Sequence, residues 1–259
     1  MKIWYQGYTN ANIDPKWKSY GSDLSSYVVK IARPDTQVDL HYVGKMSPKM
    51  PESDYIQFLH IPQAIENAFQ AQREGYDAFC LGGTLELYHV VLRDVLEIPV
   101  AFLTESSLYN ACLLARKFSI IAPNMLMLRI LMDLVEFQKL GERSVPSEPL
   151  GQPMFDLLET MSKNPQVIIE SFSERARIAI KNGAGALIPG YGPLSLFLSL
   201  RGIRDIDGVP IVDLIANVIK TAEMLADLAK MGIKRNRKGF YTYASKEDLM
   251  EARKLYGVE

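Results

Sequence analysis

Cysteine, histidine and tryptophan are all scarce in this chain, which has two, three and two of them among 259 residues. Cys80 and Cys112 are too few for a disulfide framework, which points to a reducing compartment. His41, His60 and His89 show no metal-ligand spacing, and neither HExxH nor CxxC occurs, so no metal site is expected. GxxxxGK[ST], a strand-linked GxGxxG and GxSxG are also missing. Nucleotide-dependent and serine-hydrolase readings therefore lack their usual supports. Charge of one sign does not dominate: 29 basic residues face 30 acidic ones, for a net charge of −1. That balance argues against nucleic acid as a partner. Long hydrophobic runs are absent too. The most apolar stretch, Met125 to Val135, is broken by Arg129 and Asp133, so no membrane span is expected. MKIWYQGYTN lacks the apolar centre of a signal peptide. The expectation is a soluble, cytoplasmic protein.

What is present is an ordinary globular mix, 48% hydrophobic and 23% charged. At this length folding buries about three quarters of the unfolded surface, enough for one large domain or two small ones. KIWYQG, VDLHYVG (38–44), YDAFCLGG (76–83), IPVAF (98–102), KFSIIAP (117–123), GAGALIPG (183–190) and VPIVD (209–213) read as strands. Helical spacing appears over 61–75, 85–96, 124–140, 165–182, 193–203 and 215–231, with a short last helix in the tail. Residues 142–153, with three prolines, read as a loop. Strands alternating with helices predict an α/β fold with parallel sheets. The order also repeats. A glycine, a strand and a second glycine seven residues on occur at Gly75 to Gly82 and again at Gly183 to Gly190. A helix and a Pro-containing strand follow each. Two similar halves are expected, with strand ends facing a shared cleft.

The segments GYDAFCLGG (75–83), LEIPVAFLTESSLYNA (96–111), RKFSIIAPN (116–124), GAGALIPGYG (183–192), GVPIVDLIANVIKTAEMLA (208–226) and KRNRKGFYTY (234–243) resemble the Asp/Glu/hydantoin racemase superfamily. The likeness covers most of the chain and is nearest to hydantoin and allantoin racemases. It implies two pseudo-symmetric α/β halves, taken as 1–104 plus 209–259 and 105–208. It also implies a homo-oligomer, no cofactor, and a small carboxylate or cyclic amide as ligand. In that family two cysteines flank the substrate's α-carbon, one removing a proton while the other donates one. Here the first falls on Gly83 and the second on Tyr191, and Cys80 lies within the strand. GYT (7–9) replaces a common Asn-Pro-Asn turn. GGTLELY (82–88) is similar to the arylmalonate decarboxylase branch, which has Gly-Thr at the first place but keeps its second cysteine.

Candidate residues follow. Gly82, Gly83 and Thr84 stand at a strand-to-helix turn, whose N–H groups suit an oxyanion or carboxylate; a tight turn needing glycine is the simpler reading. Tyr191, between Gly190 and Gly192, suits a hydrogen-bond donor, a general acid or a stacking wall. As a base it starts poorly, with a reference pKa of about 10 against about 8.5 for cysteine, a gap of about 2 kcal/mol. Glu86 is either an acid or base turned into the cleft or a favourable charge in a first helical turn. Glu105 matches an acidic family position. Asp213 matches another and also suits a helix N-cap. His60 is the histidine placed best for proton transfer, and Tyr8 is a pocket candidate. Cys80, Cys112 and the methionines around Met127 read as packing, and the basic run Lys234, Arg235, Arg237 and Lys238 as a solvated turn.

The leading expectation is a cofactor-independent enzyme. N–H groups near Gly83 and Thr84 hold a developing oxyanion, and Tyr191 donates from the opposite half. Lyase, hydrolase and isomerase chemistry stay open, with two-thiol racemisation disfavoured. A second reading is a binding protein that kept the cleft and lost the chemistry. A third is a racemase pairing Tyr191 with His60 or Glu86.

Overall fold

The computed structural model describes residues 1–47, 49–86, 89–236 and 244–258. In chain order, β1 (Lys2–Gln6), α1 (Pro15–Ile31), β2 (Gln37–His41), α2 (Asp54–Arg73), β3 (Ala78–Leu81), α3 (His89–Val95) and β4 (Val100–Phe102) come first. Then follow α4 (Leu103–Leu114), β5 (Phe118–Ile121), α5 (Met125–Phe137), α6 (Met154–Lys163), α7 (Pro165–Lys181), β6 (Ala186–Pro189) and α8 (Gly192–Leu200). The short β7 (Asp205–Ile206) and β8 (Val209–Pro210), α9 (Leu214–Lys230) and α10 (Lys246–Leu255) complete the order.

The first sheet is parallel, in the order β2-β1-β3-β4. Successive residues point to opposite faces. Ile3, Tyr5, Ala78 and Cys80 share one core with Leu24 and Val28 of α1 and Val218 and Ile219 of α9. Trp4, Phe79, Leu81 and Phe102 form a second core with Ala64, Ala68 and Ala71 of α2 and Leu92 of α3. Both faces are covered, which is why these strands read as apolar runs rather than as alternating patterns. Phe79 is fully buried, and truncation to alanine at such a site costs about 3–5 kcal/mol.

The second sheet pairs β5 with β6, also parallel. Single bridges at Ser144 and Ile211 extend it on either side. The chain therefore runs beside the second sheet at Ile211. It then crosses back, as α9, onto the first sheet, where the Cys80 thiol meets the Val218 carbonyl at 3.7 Å.

The sequence repeat has a physical counterpart in the two sheets. Gly75 and Gly183 both take positive φ (75° and 98°) just after a helix, a turn that glycine makes without steric cost. The Gly82 N–H donates to the Gln6 carbonyl at 2.8 Å, and the Gly190 N–H to the Ile121 carbonyl at 2.8 Å. Each second glycine thus locks onto the end of the neighbouring strand.

Three elements differ in their bounds from the sequence reading, which also assigns no helix to α1 or α6. Helix α2 begins at Asp54 rather than near Ile61, capped by Ser53, and carries Pro62 inside. Its buried alanine stripe holds it together across the one lost hydrogen bond. Helix α3 begins at His89 rather than Leu85, because Glu86 takes φ 41° and leaves the helical region. Strand 209–213 shrinks to a two-residue pair plus one bridge, and Pro210 supplies no N–H to a ladder. Leu87 and Tyr88, and Arg237, Lys238 and the rest of 237–243, lie outside the described residues. Among the described residues no helix is long and apolar enough to cross a membrane.

Candidate active site

Three turns at the carboxyl ends of strands converge. The β1–α1 turn brings Gly7, Tyr8 and Thr9; the turn after β3 brings Gly82 to Leu85; the start of α8 brings Tyr191, Gly192 and Pro193. They enclose a cavity of about 60 Å³. Trp17 and Tyr20 of α1 close one side, and Met46, Met50 and Met127 another. Strands of both sheets thus feed one cleft.

The glycines of the turn are set by aromatic rings packed on the backbone. A Cβ at Gly82 would lie 2.2 Å from the Tyr5 ring, and one at Gly83 would lie 2.1 Å from the Tyr8 ring. The Tyr8 ring therefore fills the space that any side chain at position 83 would need. Across the cavity, Tyr191 caps α8 in extended conformation. The hydroxyls of Tyr8 and Tyr191 are both buried without a hydrogen-bond partner among the described residues. Burial raises both phenols well above the usual tyrosine range, with Tyr20 adding to the effect on Tyr191 and Glu86 to that on Tyr8. They stay protonated near neutral pH and act as donors, not bases.

Thr84 ties the turn after β3 to the starts of α8 and α4. Its Oγ1 accepts the Gly192 N–H at 3.0 Å, and its carbonyl accepts the Thr104 hydroxyl at 2.8 Å. A hydroxyl that accepts one bond keeps its proton to donate, and Thr84 is one of the residues lining the cavity. The Gly83 and Thr84 N–H groups have no acceptor among the described residues. Of the expected site residues, Gly82, Gly83, Thr84, Gly192, Tyr8 and Tyr191 line this one cavity.

Four expected site residues lie elsewhere. Glu86 is turned away from the cavity. Its carboxylate accepts the Thr104 and Glu105 N–H groups, the latter at 3.0 Å, at the N-terminus of α4. An acidic side chain at a helix start is the favourable reading, but the helix served is α4, not α3. Burial raises its pKa, while those two N–H groups oppose the shift. Glu105 is held by Arg93, with Nη1 to Oε2 at 2.9 Å, and by Gln138 at 3.0 Å. Gly190 does not line the cavity; a Cβ there would press on Leu131, Ala122 and Ile120, so it serves the close approach of β6 to β5. His60 sits behind Tyr8, edge-on with ring centres 5.3 Å apart, and burial lowers its pKa. Neither His60 nor Glu86, the partners that a Tyr191 racemase would need, is among the residues lining the cavity.

Asp213 caps α9, accepting the Ala216 N–H at 3.0 Å. It also takes the Tyr27 and Ser199 hydroxyls and Arg204, tying α1 and α8 to that cap. Cys80 is fully buried in its sheet, and neither it nor Cys112 lines the cavity. Among the described residues, no carboxylate, imidazole or cation lines the cavity. No group of three or more His, Cys, Asp or Glu is placed to hold a metal ion there either.

Sequence reasoning passed over Tyr20, Trp17, Met46 and Met50. For the first two a signal existed: Trp17, Tyr20, Leu24 and Tyr27 form the buried face of α1 at helical spacing. Nothing in that spacing says that its first turn opens onto a cleft.

No family model matches the chain. A hydantoin racemase from Pseudomonas sp. (strain NS671) is 29% identical over 229 residues, 87% of each chain. The allantoin racemase from Klebsiella pneumoniae shares the fold at a TM-score of 0.76 and 17% identity, over 95% of this chain and 94% of that one. The allantoin racemase from Pseudomonas fluorescens does so at 0.78 and 20% identity, over 94% of this chain and 97% of that one. The sequence likeness along most of the chain, with the shared fold, supports the resemblance to the Asp/Glu/hydantoin racemase superfamily.

Proposed function

We propose that the chain is a cofactor-independent enzyme of this superfamily, acting on a small carboxylate or cyclic amide without a catalytic thiol. One observation carries the reading: Tyr8 and Tyr191, whose buried hydroxyls have no hydrogen-bond partner among the described residues, line one small cavity fed by both sheets. Unsatisfied buried donors are costly unless a ligand or water meets them.

In this reading a substrate carbonyl lies between Tyr191 on one side and the Gly83–Thr84 turn on the other. As negative charge develops on its oxygen, the phenol, the Thr84 hydroxyl and the turn's N–H groups stabilise it. Fixed donors of this kind are worth about 10²–10³ in kcat each. Gly83 and Tyr191 stand where the family resemblance puts the two thiols, so proton exchange between two thiols is disfavoured. With no carboxylate or imidazole lining the cavity among the described residues, the reading favours chemistry in which the substrate or a bound water does part of the work. Loss of carbon dioxide from a substituted malonate and opening of a cyclic amide by water are both of that kind.

Proton NMR of the protein in D₂O with hydantoins, allantoin, substituted malonates, maleate, lactams and amino acids tests it. A new product skeleton from one panel member supports lyase or hydrolase chemistry. Loss of an α-proton signal alone moves the assignment back to isomerase. Binding of a panel member without turnover would contradict the enzyme reading.

A further inference from the structure

We propose that Tyr20 of α1 is a further ligand-contacting residue, its hydroxyl converging with that of Tyr191 on a single oxygen. The inference rests on the reading that this cavity holds the ligand. Tyr20 lines the cavity and is 8% exposed. Its hydroxyl lies 3.6 Å from the Cβ position at Gly192, the residue that follows Tyr191; Thr84 Oγ1 lies 3.8 Å from the same point. Tyr20 thus reaches from α1, packed on the first sheet, to the helix that follows the second.

Its placement is fixed from three directions. Trp17 stands edge-on to the Tyr20 ring, centres 6.0 Å apart. Behind it, the Tyr5 ring is packed on Gly82 and its hydroxyl faces that of Tyr20. Tyr27, two turns further along α1, is bound to Asp213 and Arg204. A rigid helix carrying a donor into a cavity, opposite a second donor, gives one acceptor two hydrogen bonds with little reorganisation. Burial raises the Tyr20 phenol above the ordinary range, so both partners remain neutral donors.

The titratable groups that act on the pair are all phenols: Tyr5 and Tyr42 on Tyr20, and Tyr20 on Tyr191. An oxygen gaining charge between Tyr20 and Tyr191 meets two O–H dipoles, and among the described residues no carboxylate lines the cavity to compete with it.

The test is a high-resolution crystal structure of the ligand-free chain, beside that of Tyr20→Phe. One water within hydrogen-bond distance of both the Tyr20 and Tyr191 hydroxyls is expected, and its loss in Tyr20→Phe. A Tyr20 hydroxyl satisfied by Tyr5 alone, or a water touching only one of the pair, overturns the proposal. On any panel compound that turns over, Tyr20→Phe is expected to lower kcat by at least 10-fold with KM little changed. Adding Tyr191→Phe should then cost less than the product of the single losses. Independent, multiplying losses would overturn a shared oxygen. If no panel compound turns over, the preceding functional reading fails, while the crystallographic water still decides the role of Tyr20.

Discussion

At the scale of single residues, the site is defined by what stands over Gly83. The Tyr8 ring occupies that space, so Gly83→Cys alone is expected to destabilise the fold by about 1–3 kcal/mol through overpacking. Urea unfolding measures it, and adding Tyr8→Ala should recover most of the loss. If Gly83→Cys leaves stability unchanged, the ring does not hold that place. Thr84 supplies a second residue-level prediction. Thr84→Val strips the acceptor from the buried Gly192 N–H, with an expected cost of about 1–3 kcal/mol; Thr84→Ser should restore it. The sequence made Gly82, Gly83, Thr84 and Tyr191 legible because glycines flank both strand ends. It could not place Tyr20, whose neighbours belong to segments far along the chain. Glu86 misled for the same kind of reason: its acceptor role is set by a left-handed φ and by N–H groups of Thr104 and Glu105.

At the scale of elements, caps and strands were legible and starts less so. Asn124 and Asp213 cap α5 and α9 as their side chains suggest, because capping is a local interaction. The beginnings of α2 and α3 were not, since burial of an alanine stripe and the binding of Glu86 to distant N–H groups decided them. Glu86→Ala should leave the first N–H groups of α4 without a partner, at a cost of about 1–3 kcal/mol in unfolding free energy. Glu86→Gln, which keeps an acceptor oxygen, should recover part of it. Equal stability of all three proteins would contradict the anchoring role.

At the scale of the molecule, two sheets related by an internal repeat deliver their turns to one cleft, and much of that arrangement is written in the paired glycines. The cleft's contents are not, because they depend on side chains from α1, the segment before α2, and α5. Burial also shapes the pH response of the whole fold. It lowers the pKa of His60 and His41 below 6.5. The unfolded chain therefore takes up these protons first as pH falls through about 6.5, and stability declines, by at most about 1.4 kcal/mol per pH unit for each group. Urea unfolding between pH 7.5 and 5.5 should show the decline, and His60→Gln should flatten it. A flat wild-type profile would contradict the burial of neutral imidazoles.

In the proposed function hydroxyls, not thiols, do the work in this cavity. Turnover of the best panel substrate by wild type, Tyr191→Phe, and a Cys80→Ala/Cys112→Ser double variant tests this at once. A loss of about 10²-fold or more in kcat is expected for Tyr191→Phe, with near wild-type kcat in the thiol-free protein. Full activity in Tyr191→Phe, or its collapse in a folded protein lacking both cysteines, would contradict it.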